Sequence, residues 1–224
     1  MEDSLITFGL NLQKRVGKPM HLRFNENTST MVSISRVEGV TRVSLHKMFA
    51  QAPEDVLHHL VRYVQGKQKS PGPVIRDFIE ENYQRLDYSA RIRPSQLFVE
   101  GSYYNLRDVY DTVNKEYFDG GVDLNITWYG RLRTSPRQRV TFGLYYDPLR
   151  LIKVHKLLDS PLVPRFFIEY IVYHEMLHHV LPGYTGSDGR RCVHHPEFQS
   201  REAGFKYFEQ AKQWIRDNEI LLFG

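Results

Sequence analysis

Between Leu162 and Leu181 the chain is apolar nearly all round a helix, and His174, Glu175 and His178 are set into it. Phe166, Phe167, Ile168, Ile171, Val172, Met176, Leu177, Val180 and Leu181 leave little polar face. A helix of that kind is predicted to be buried. Two histidines four apart lie about 40° apart around the axis and one turn up, so both rings reach one point. Buried imidazoles and a buried carboxylate need partners, and a metal ion supplies them. A surface helix with scattered histidines would need polar neighbours, which this stretch lacks. Glu169, His174 and Glu175 interrupt the run, so it is not a membrane span.

The spacing His174-Glu175-Met176-Leu177-His178 is an H-E-x-x-H pattern. It proposes Zn2+ as the ion and Glu175 as a base acting on a water at that ion. A catalytic zinc takes three protein ligands and leaves one position to water. Two histidines stand downstream, in Cys192-Val193-His194-His195-Pro196-Glu197-Phe198. Pro196 suits the first turn of a new helix. Apolar residues at helical spacing from Phe198 to Ile220 predict that helix. The stretch Pro182 to Gly189 is rich in turn formers and predicts a loop. Tyr184 in that loop is a candidate hydrogen-bond donor to a transition state.

These segments resemble the SprT-like, or Spartan-type, zinc metalloproteases. That family carries H-E-M-x-H on one helix and H-G-P-E-F at the start of the next. Matching the P-E-F places the third ligand on His194, with His195 where the family usually has Gly. Upstream, Leu106 to Phe118 looks like the family's first helix, with its N-x-x-Y-F ending at Asn114, Tyr117 and Phe118. Leu124-Asn125-Ile126-Thr127-Trp128 resembles its first strand. The resemblance covers roughly residues 100 to 215. It implies a zincin-like α+β core, a zinc-dependent endopeptidase with Glu175 as base, and proteolysis of DNA-bound or DNA-crosslinked proteins. Two alternatives stay open. One is a metalloprotease for protein substrates unrelated to DNA. The other is a zinc-stabilised binding module without catalysis.

The formal charge of +4 is too small to indicate nucleic acid. Its distribution says more. Arg131, Arg133, Arg137 and Arg139 cluster beside Trp128 and Tyr129, and basic residues among aromatics can hold phosphates and stacked bases. These four are candidate DNA contacts; the competing reading is a solvated hairpin tip. The single cysteine, Cys192, excludes an intramolecular disulfide and a cysteine zinc ribbon. Cys192 is read as a partly buried bystander rather than a ligand. The start Met1-Glu2-Asp3-Ser4 has no basic region leading into an apolar one, and a cytoplasmic location is expected.

The order along the chain is α+β throughout. A helix is predicted over 104–118, strands over 122–129, 139–146 and 150–156, then the histidine helix and its successor. Before it, a region of about ninety residues reads as a helix at 3–16, strands at 20–25, 31–37 and 40–46, and helices at 54–65 and 74–87. Residues 1–90 and 91–224 are therefore read as two regions. The second half repeats the element order of the first, and Val43-Ser44-Leu45-His46-Lys47 echoes Ile152-Lys153-Val154-His155-Lys156. Descent from one duplicated unit is the hypothesis, and a different strand order in the two halves would sink it. His58-His59 and Glu80-Glu81 are adjacent pairs that diverge on a helix, so neither is read as a site.

Overall fold

The computed structural model describes residues 2–131, 140–186 and 191–218. It is α+β and divides into two compact units, the first running from Met1 to Arg85 and the second beginning at Leu86. No helix among the described residues is long and apolar enough to cross a membrane.

In the first unit, α1 (Glu2–Val16) stops at Gly17, whose φ of 67° is the left-handed conformation that ends helices. Three strands follow, β1 (Met20–Asn25), β2 (Val32–Val37) and β3 (Val40–His46). Glu38 and Gly39, both at positive φ, make the two-residue turn between β2 and β3. The helices α2 (Glu54–Val64) and α3 (Pro73–Tyr83) close the unit. Its core holds Leu12, Leu45, Phe49, Leu60 and Ile75.

The second unit begins its regular structure with α4 (Leu106–Phe118), whose N-cap Asn105 accepts from the Arg107 N–H. Then come β4 (Asn125–Tyr129), β5 (Gly143–Tyr146) and β6 (Leu151–His155). Next is α5 (Arg165–Val180), which carries the histidine pair and is capped by Pro164. A small hairpin, β7 (Tyr184–Thr185) with β8 (Arg191–Cys192), leads to α6 (Pro196–Ala203) and α7 (Phe208–Asp217). The side chains of Leu106, Ile126, Ile152, Phe167, Ile168, Met176, Leu177 and Phe198 fill the core.

The N-x-x-Y-F residues account for how α4 meets α5. Asn114 donates to the Val122 carbonyl and accepts from the Val122 N–H, clamping the chain before β4. Tyr110 also donates to the Val122 carbonyl. With its backbone taken by side chains, Val122 cannot join the ladder, so β4 starts at Asn125 and not at 122. Tyr117 and Phe118 lay their rings on Tyr173 of α5, centroids 4.8 and 5.6 Å away.

Other bounds also need correction: the helix expected over 74–87 ends at Tyr83, and the strand expected over 139–146 starts at Gly143. The helix expected from Phe198 to Ile220 is two helices, parted at Gly204. Gly is a poor helix former. The break also lets Phe205 turn inward, 3% exposed, against Tyr117, Tyr170 and Tyr173.

The two sheets have the same topology. Their orders are β1-β3-β2 and β4-β6-β5. In each, the outer pairs are one parallel and one antiparallel, in the same sequence. His46 and His155 occupy equivalent ends of the central strand. Each donates its N–H back to the second-strand segment, to Met31 and Phe142 respectively. Each ring Nδ1 accepts the N–H two residues on, from Met48 and Leu157. This equal order is what the duplication hypothesis requires, and it aligns Val32 with Gly143 and Ile34 with Tyr145.

Candidate metal centre

α5 brings His174 and His178 to one side, and the chain entering α6 brings His194 to them. His174 Nε2 and His178 Nε2 are 3.2 Å apart, and His178 Nε2 and His194 Nε2 are 3.3 Å apart. All three ligand atoms lie within 4.8 Å of one another. Nitrogens held tetrahedrally around zinc at about 2.0–2.1 Å are about 3.3 Å apart. The separations therefore fit the ion. Phe198 forms the floor under the three rings, at 5.2, 4.8 and 4.8 Å between centroids.

The donor chemistry fits as well. Burial, together with the neighbouring His174 and His194, pushes His178 down to about 3. Burial and His174 also lower His194. Both imidazoles are thus neutral near pH 7, as ligands must be. His174 turns its Nδ1 to Glu202 of α6, 2.7 Å away, which leaves its Nε2 lone pair for an ion.

Glu202 also accepts from the Tyr170 hydroxyl at 2.6 Å, with Lys212 3.8 Å away. Burial alone would raise its carboxyl, but the hydrogen bonds from His174 and Tyr170 outweigh burial and hold it at about 2. This carboxylate was not read from the sequence. The signal was there: Glu202 lies four residues after Phe198, on the buried face of its helix, where an acid needs a partner. Glu202→Gln is expected to weaken zinc binding by about 10–100-fold. Competition with a chromophoric chelator measures it, and an unchanged affinity would remove Glu202 from the site.

His195 does not join the cluster. It is buried, and its Nδ1 accepts from the Phe198 N–H as the N-cap of α6. The metal-capable group among the described residues comprises His174, His178 and His194. Cys192 pairs with Tyr184 across the β7–β8 hairpin. The Tyr184 ring is half-exposed and packs 5.5 Å from that of His195. Arg131 is exposed just past β4. Arg133, Arg137 and Arg139 lie outside the described residues.

Glu175 is buried on the side of α5 facing β5. Burial raises its carboxyl to about 7, opposed by His174 and by a hydrogen bond from the Tyr145 N–H. Gly143 makes room for it. A Cβ at that position would collide with the Glu175 carboxylate. In the first unit the matched position is Val32.

The edge next to Glu175 has a defined polarity. The His155 N–H donates to the Phe142 carbonyl, so Leu144 and Tyr146 carry the next ladder bonds to β6. The N–H and C=O of Gly143 and Tyr145 point the other way, and no described strand pairs with them. On the far side of the sheet, the chain at Phe98 covers β4, accepting from the Trp128 N–H and donating to Thr127 Oγ1. Tyr129, whose hydroxyl donates to the Thr141 carbonyl, is raised by burial and by the charge of Glu175.

No protein-family model, no curated protein and no solved structure matches the chain.

Proposed function

We propose that this protein is a zinc-dependent endopeptidase of the SprT-like type, built on a zincin-like core. The observation that carries the reading is the convergence of His174, His178 and His194 on one point, with the Glu175 carboxyl on the helix that carries the first two. Zinc held by His174, His178 and His194 would supply Lewis acidity and make a water at that point more acidic. Glu175 takes the proton of the attacking water and passes it to the leaving amine. Glu202 orients His174 throughout.

The zinc-stabilised binding module is the weaker reading. A closed structural site takes a fourth protein ligand, and neither His195 nor Cys192 belongs to the metal-capable group.

The test is metal analysis with a cleavage assay on an unfolded protein substrate. About one zinc per chain and cleavage abolished by a chelator are expected. Bound zinc without cleavage of any tested protein would favour the binding module. The resemblance extends the proposal to DNA-bound substrates. The same assay on one substrate, free and bound to DNA, separates that extension from a general peptidase.

A further inference from the structure

A second cluster of polar side chains sits beside the metal centre without touching it. The Tyr145 hydroxyl lies 2.8 Å from His179 Nδ1 and 3.1 Å from Asp147 Oδ1. The rings of Tyr145 and His179 meet edge to face, centroids 5.8 Å apart. An ionised Asp147 can only accept, so the chain of bonds runs from His179 Nδ1–H to the Tyr145 oxygen and from the Tyr145 O–H to Asp147. Tyr145 is on β5, and Asp147 follows that strand directly. His179 is in the last turn of α5, next to the ligand His178. The cluster therefore ties the edge strand to the C-terminal end of the metal helix.

The backbone of the same tyrosine contacts Glu175, through its N–H. Tyr145 thus holds the base with its main chain while its side chain is anchored one turn further along the same helix. Two fixed points keep β5 from sliding or tilting against α5. The first unit supplies a comparison within the chain. Its matched strand position is Ile34, which cannot bond to a helix end, and α2 ends at Val64 without a histidine turn. The scaffold forms there without such a tie, so folding of this unit type does not require it.

We infer that Tyr145, anchored by His179 and Asp147, is a positioning residue that holds β5 and Glu175 in register for catalysis. The inference rests on the peptidase reading for its catalytic part, while its structural part stands without it. Misplacement by about 1 Å costs up to about 100-fold in rate, and that is the scale expected here.

The experiment uses the zinc-loaded full chain and the variants Tyr145→Phe, His179→Leu and His179→Asn. Tyr145→Phe and His179→Leu are expected to lower kcat about 10- to 100-fold with KM nearly unchanged and zinc content intact. His179→Asn, whose amide can stand in for Nδ1, is expected to retain most of kcat. Amide hydrogen exchange gives a readout independent of activity. Exchange at residue 145 should speed up in Tyr145→Phe and His179→Leu, while exchange at Val154 in the central strand should not. Unchanged kcat and unchanged exchange at residue 145 overturn the inference. Equal acceleration at Val154 also overturns it, because the effect is then general loosening. If Tyr145→Phe does not fold, the His179→Leu and His179→Asn pair decides by the same readings. If the wild-type protein cleaves nothing, the peptidase reading fails and the exchange data alone decide whether the tie holds the strand.

Discussion

Glu175→Gln is expected to lower kcat/KM by about 10²–10⁴-fold while leaving zinc content at the wild-type level. Gln keeps the size of the side chain and can still accept from the Tyr145 N–H, so the fold around β5 stays in place. What it loses is the ability to take and return a proton. The same variant has a second signature in chelator-treated protein. Burial raises the Glu175 carboxyl from 4.5 to about 7. Between those values the folded chain keeps a proton that the unfolded chain has released. Stability of the metal-free wild type therefore falls as pH rises through that window. Glu175→Gln has no such proton, so it should be the more stable of the two at pH 8, by no more than about 3 kcal/mol. The two should converge below about pH 4.5. Denaturant melts at both pH values measure this. Undiminished proteolysis by the variant would defeat the catalytic assignment, and equal stabilities at pH 8 would defeat the burial account of Glu175.

His194→Ala is expected to weaken zinc binding by more than about 100-fold, beyond the loss from any outer partner. His195→Ala is expected to leave zinc affinity within a small factor and to cost about 1 kcal/mol of stability. The contrast follows from geometry. His194 Nε2 stands 3.3 Å from His178 Nε2, whereas His195 spends its Nδ1 on the Phe198 N–H at the start of α6. Chelator competition and thermal melts on both variants distinguish the two losses. Zinc lost from His195→Ala and kept by His194→Ala would reverse the assignment of the third ligand.

The α+β class and the order of elements were legible in the sequence because they depend on local periodicity. β-Branched residues mark β2 and β3, alternation of Met20, Leu22 and Phe24 with polar residues marks β1, and the apolar run around His174 marks α5. Prolines 53, 164 and 196 mark helix starts. Element ends were less legible where a side chain claims a backbone group, as Asn114 and Tyr110 do at Val122. The break at Gly204 escaped because the apolar spacing continues past it. Only packing reveals that Phe205 turns inward there.

The metal group divides the same way. His174, Glu175 and His178 lie within one helical turn, so the sequence by itself placed the two histidines on one face with Glu175 beside them. The resemblance pointed to His194, but its approach to the other two depends on how α6 returns to α5. Glu202, Gly143 and Tyr145 meet His174 and Glu175 across 28 to 32 residues of chain, through close approaches that no local pattern encodes. Residue types and helical spacing determined that two imidazoles and a carboxyl share one helical turn. Tertiary structure alone decided which partners orient them, because the enthalpy of a hydrogen bond or the exclusion of a methyl group exists only once distant segments are in contact.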